Sequence, residues 1–129
     1  MLVQHVEAWA ARLMRIRQAN LLKDLSLELR WTVLPPIFYE EMKDQKSLTA
    51  LDMAGRKYPY PPFWEVDYIY LPLWIGHTDW LLVSIDMWNM VITQYWTDKR
   101  WRNEKRHEVR SYMEMKTLFF GCFLECIHY

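Results

Sequence analysis

The run Trp80-Leu81-Leu82-Val83-Ser84-Ile85 constrains this chain more than any other feature. A stretch so continuously apolar is what a central strand, covered on both faces, requires. Upstream, Tyr68-Ile69-Tyr70-Leu71 is short and rich in aromatic and β-branched residues, which favour a pleated backbone. Asp86-Met87-Trp88-Asn89 reads as a turn, and Met90 to Tyr95 as the strand that returns from it.

Helical spacing dominates on either side of these strands. From Leu2 to Leu22, apolar residues recur either at Leu2, Val6, Trp9, Leu13 and Ile16 or at Val3, Val6, Ala10 and Leu13, with Arg12, Arg15, Arg17 and Gln18 between them. This predicts an amphipathic helix lying on a core. Pro35-Pro36 interrupts the chain, and Phe38 to Met53 reads as a second helix. Tyr58-Pro59-Tyr60-Pro61-Pro62 enforces an extended connector. Lys99 to Glu114 mixes both charge signs at helical density, and Leu118 to Tyr129 reads as an apolar helix.

Length and composition bound the rest. At 129 residues the expectation is one domain over 1–129, with a helical part at 1–55, core strands at 63–98 and a helical part at 99–129. Apolar residues reach 52% and aromatics 16%, with eight Trp and eight Met, which excludes a disordered chain. Lys plus Arg and Asp plus Glu both number 16, so no global field draws the protein to nucleic acid or to an anionic membrane. Lys99, Arg100, Arg102, Lys105, Arg106 and Arg110 surround Trp101, yet Glu104 and Glu108 alternate with them as on a solvated, ion-paired helix face. Cys122 and Cys126, one helical turn apart, form no disulfide framework and suit a reducing compartment. With no secretory signal and no run of eighteen apolar residues, a nuclear or cytoplasmic protein is expected, not a secreted one.

The segment from Trp64 to Tyr95 contains Val66-Asp67-Tyr68-Ile69-Tyr70-Leu71-Pro72, a loop, Asp79-Trp80, an apolar strand ending in Ile85-Asp86, a turn, and Ile92-Thr93-Gln94-Tyr95. It resembles the ubiquitin-like (SUMO-deconjugating) cysteine protease family in its plant mobile-element-like branch. Flanking it, His5-Val6-Glu7-Ala8-Trp9 resembles the helix after that family's Trp-Leu-x-Asp motif, and Gly121-Cys122-Phe123-Leu124 resembles the residues immediately after its nucleophile. The resemblance implies an α+β, papain-like fold, a small mixed sheet flanked by helices, in shortened form. It also implies cleavage after Gly-Gly: a thiolate attacks the carbonyl, histidine shuttles the proton and aspartate orients the histidine.

Carried over residue by residue, that chemistry is missing. Asp79 stands at the histidine position, before Trp80, and Trp96 stands at the aspartate position, 17 residues on as in the family. Phe120 stands where the nucleophilic cysteine belongs, before Gly121. At the oxyanion position Glu114 replaces glutamine, and an ionised carboxylate opposes the negative charge that must form there. The family's Trp-Leu-x-Asp motif would lie upstream of Leu2, and only 24 residues separate positions 96 and 120, fewer than the family has. Trp80, matching the tryptophan that lines the tunnel for the Gly-Gly tail, is the one binding residue retained. The partner implied is a ubiquitin-like protein of the SUMO type.

His77, Asp98 and Cys122 each lie two residues from a required position and define the alternative, an active peptidase with a rearranged thiol. In an antiparallel hairpin His77 can face Asp98 if Asp79 faces Trp96. Two residues along a strand nevertheless move a side chain by roughly 6.6 Å, where a catalytic constellation tolerates about 0.5 Å. Two residues on a helix rotate it by roughly 200°, turning Cys122 away from where Phe120 points. Cys122 reads instead as a small buried hydrophobe, and His77 with Asp79 as a hydrogen-bonded loop. No metal and no cofactor are expected. A further alternative is a binding or self-association module presenting exposed tryptophans.

Overall fold

A computed structural model describes residues 3–43, 48–75 and 79–96. Helix α1, Val3–Lys23, buries Val6, Ala10 and Met14, so the second of the two helical stripes turns inward. Trp9 and Ile16, apolar members of the first stripe, are exposed. Arg17, placed by the spacing among the polar residues, falls on the buried face at 5% exposure. Its Nε donates to the Trp31 carbonyl at 2.8 Å and its Nη2 to the Leu29 carbonyl at 2.6 Å. The guanidinium also lies 5.8 Å from the Trp31 ring centroid. Two backbone carbonyls and an aromatic face compensate the burial of this charge and tie α1 to the next strand.

That strand, β1 at Trp31–Val33, lies within the stretch expected to be helical. It pairs in parallel with β2, Tyr68–Ile75, which pairs antiparallel with β3, Asp79–Asp86, and β3 in turn with β4, Val91–Trp96. The result is a four-stranded mixed sheet in the order β1-β2-β3-β4, and the protein is α+β. β2 runs past Pro72, beyond the Tyr68–Leu71 segment expected as strand. Leu34 N–H donates to Tyr70 O at 2.9 Å, so the even-numbered residues of β2 direct their backbone groups toward β1. β1 ends at Val33 and the chain turns away at Pro35-Pro36, so the N–H that Pro72 lacks has no ladder partner there.

The two faces of the sheet are covered differently. Ile69, Leu71 and Leu73 of β2 and Leu81, Val83 and Ile85 of β3 share one face and join a core with Phe38, Met42, Ala54 and Phe63. Fully burying each Leu, Ile or Phe contributes about 1.5–3 kcal/mol. Val33 of β1 lies on the other face and packs with Ala10 and Met14 of α1, with Tyr70 alongside. The Met14 sulfur accepts the Val33 N–H at 3.3 Å. Tyr60 touches both clusters, and burial pushes its phenol above the usual range.

The helix expected over Phe38–Met53 is found as α2, Ile37–Lys43, and α3, Leu48–Leu51. α3 runs into a widened π-type turn, Asp52–Arg56, in which Lys57 N–H reaches Asp52 O at 3.2 Å. Within it Gly55 has φ +119°. A Cβ there would lie 2.1 Å from Pro62 Cα, so glycine lets the Pro61-Pro62 connector cross against the turn. After this connector, which contains a cis Tyr58–Pro59 bond, a 3₁₀ turn at Phe63–Glu65 delivers Phe63 into the core and leads to β2.

Candidate functional site

Residues 68–96 form the β2–β3–β4 unit, and the strand register fixes how positions 79 and 96 relate. Asp79, first residue of β3, pairs with Ile75 of β2. Trp96, last residue of β4, pairs with Leu81 of β3. Position 79 therefore lies two residues before the one that pairs with position 96. The facing of Asp79 with Trp96, on which a His77–Asp98 pair would depend, is not the register found: 96 opposes 81. By the two-residue period, Leu81, Val83 and Ile85 carry one face of β3 into the core.

Trp80 points to the opposite face by the same alternation. It is half-buried and opposes Trp74, and the two indoles stack with centroids 6.1 Å apart and planes inclined by 14°. Such a directly opposed aromatic pair stabilises a two-stranded register by roughly 0.2–1 kcal/mol beyond alanine. Tyr68 and Tyr70 stack on this face further along β2, and Tyr95 of β4 is exposed on it. Trp80 therefore belongs to an aromatic face as well as to the segment boundary next to position 79.

The opposite ends of these strands are held by carboxylates. Asp67 Oδ1 accepts from Arg30 Nε at 3.0 Å and from Trp88 Nε1, joining the approach to β1, the start of β2 and the β3–β4 turn. Its backbone also takes part: Asp67 N–H donates to Arg30 O at 2.8 Å and Met87 N–H to Asp67 O at 2.9 Å. Asp86 accepts from the Trp88 and Asn89 backbone N–H groups, both at 3.0 Å, and from Asn89 Nδ2 at 2.8 Å. This is the asparagine-aspartate turn chemistry expected for Asp86-Met87-Trp88-Asn89. Met90 completes the turn at φ +56°, so β4 starts at Val91, one residue later than the sequence suggested. The Trp88 donor, then Arg30, holds Asp67 below the usual carboxylate range, and the Asn89 side chain does the same for Asp86. The sequence motif around Asp67 is thus a fastening of three segments, a role that spacing alone did not reveal.

His77, Asp98, Glu114, Phe120 and Cys122 lie outside the described residues. Among the described residues no group of three or more His, Cys, Asp or Glu is placed to hold a metal ion, and no helix is long and apolar enough to cross a membrane. A mixed sheet packed against helices defines an α+β protein, with positions 79 and 96 at one end of its β3–β4 hairpin. The chain matches no family model, no curated protein and no solved structure.

Proposed function

We propose that this chain is a catalytically inactive relative of the ubiquitin-like (SUMO-deconjugating) cysteine proteases, keeping the papain-like scaffold and lacking its catalyst. The observation that carries the reading is the pair Asp79 and Trp96: they stand in sequence where the resemblance puts the histidine and the aspartate, on the neighbouring strands β3 and β4, and neither residue type can do the work required there. An acyl transfer to a thiol needs a base that takes the proton and later returns it to the leaving amine. A carboxylate at 79 is a far weaker base than imidazole near neutral pH, and an indole at 96 is a donor only and cannot orient a base by accepting its N–H. With Phe120 at the nucleophile position and Glu114 at the oxyanion position, attack and charge stabilisation are missing as well.

Any retained role is weak binding of a ubiquitin-like protein, with Trp80 in the groove that takes the Gly-Gly tail. The test is hydrolysis of a fluorogenic SUMO fusion by this protein and by the triple variant Asp79→His, Trp96→Asp, Phe120→Cys. Turnover by the variant alone supports an inherited scaffold with a lost catalyst. Turnover by the unmodified protein overturns the loss of activity, and silence from a folded triple variant overturns the inherited scaffold and groove.

A further inference from the structure

The whole-chain charge balance averages over surfaces that differ. On α1 every exposed position is neutral or basic, and the helix's one carboxylate, Glu7, is half-buried. Arg12, Arg15 and Lys23 on this face make no hydrogen bond or ion pair with any described residue. Interleaved with them are Trp9 at 46%, Ile16 at 45% and Leu22 at 77% exposure. Arg12 follows Trp9 by three residues and Ile16 follows Arg12 by four, so indole, guanidinium and aliphatic side chain form one ridge. The ridge extends along a helix of 21 residues, about 30 Å at 1.5 Å per residue.

We propose that this outward face of α1 is a peripheral docking surface for an anionic lipid bilayer. Three cations without a partner among the described residues supply attraction to acidic headgroups, each contributing about fivefold in partitioning. Trp9, Ile16 and Leu22 supply apolar groups at the same level, and long basic side chains can lay their stems along the interface while their charges meet phosphate. Cations interleaved with apolar side chains along one helix face match the mixed charged and apolar character of a bilayer interface. α1 stays anchored to the protein through Val6, Ala10, Met14 and Arg17, so docking requires no refolding. Asp24 and Glu28, both exposed, mark where the cationic stretch ends. Charges near a bilayer act within a Debye length of about 10 Å at 0.1 M salt, so a one-sided face matters even on a neutral protein.

The experiment is co-sedimentation of the full chain with phosphatidylcholine vesicles and with vesicles in which a third of the lipid is phosphatidylserine. Binding to the phosphatidylserine vesicles alone, weakening as salt rises, is expected. Arg12→Gln with Arg15→Gln reduces that partitioning about 25-fold, at fivefold per cation, whereas Arg12→Lys with Arg15→Lys retains it. Circular dichroism confirms that these exposed substitutions leave the helix intact. Equal binding to both vesicle types, no binding to either, or undiminished binding by the glutamine variant each overturns the proposal. Binding to polyglutamate without binding to vesicles also overturns it, and assigns the face to an acidic protein.

Discussion

Replacing Gly55 by alanine probes the most constrained point of the backbone. Its φ of +119° is one that side-chain-bearing residues rarely adopt, and holding a non-glycine residue in such a region costs about 1–3 kcal/mol. The added methyl would also meet Pro62 Cα at 2.1 Å, Pro62 N at 2.5 Å and Pro61 C at 2.9 Å. All three are backbone atoms of a proline pair, so no side-chain rotation relieves the overlap, and the connector must move away from the turn. Overpacking of this kind adds about 1–3 kcal/mol. Gly55→Ala is therefore expected to destabilise the fold by about 2–6 kcal/mol, a large share of the 5–15 kcal/mol typical of a domain. The assay is urea denaturation followed by tryptophan fluorescence, with Ala54→Gly as a neighbouring backbone control. A loss below about 1 kcal/mol for Gly55→Ala would refute the reasoning, because the turn would then not need its left-handed residue or its contact with Pro62.

Three other perturbations rest on the same geometry. Arg17→Ala leaves the Leu29 and Trp31 carbonyls without their donor and should cost about 2–4 kcal/mol in a denaturant melt; Arg17→Lys should recover little, because one ammonium cannot reproduce the guanidinium fork. Met14→Leu preserves volume but removes the sulfur that accepts the Val33 N–H, so a loss of about 1–2 kcal/mol is expected, against less than that for a purely packing change. Asp67 and Asp86 both have depressed values in the folded state, so their contribution is present above the unfolded carboxylate pKa of about 3.9 and disappears as pH falls below it toward the folded values. Melts between pH 7 and pH 2 should show Asp67→Asn losing part of this acid dependence; an unchanged pH profile would contradict the assignment.

Strong periodicity was legible in the sequence. The apolar run became β3, the turn at Asp86 formed through the side chain that turn chemistry assigns it, and α1 ends at Lys23, close to the expected Leu22. β1 was missed because three residues before two prolines carry no period, and it exists through pairing with β2 and packing of Val33 on Met14. Pro72 obscured the second half of β2, since its tolerance depends on where β1 stops. Arg17 reads as polar by type, yet three hydrogen bonds bring it inside. For the candidate site, the sequence gives the 17-residue separation of 79 and 96, whereas which residue of β3 stands opposite 96 depends on the β3–β4 register that only the fold supplies. The role of Asp67 was equally hidden, because Arg30 and Trp88 come from segments distant in sequence.

The claim that no activated thiol remains is tested most directly by a trapping reaction. The protein is incubated with a SUMO whose C-terminal glycine is replaced by a vinyl sulfone, which captures the attacking cysteine of an active relative, and intact mass is measured. The account predicts no mass increase for the unmodified protein. A stoichiometric adduct mapped to Cys122, and absent from Cys122→Ala, would contradict it.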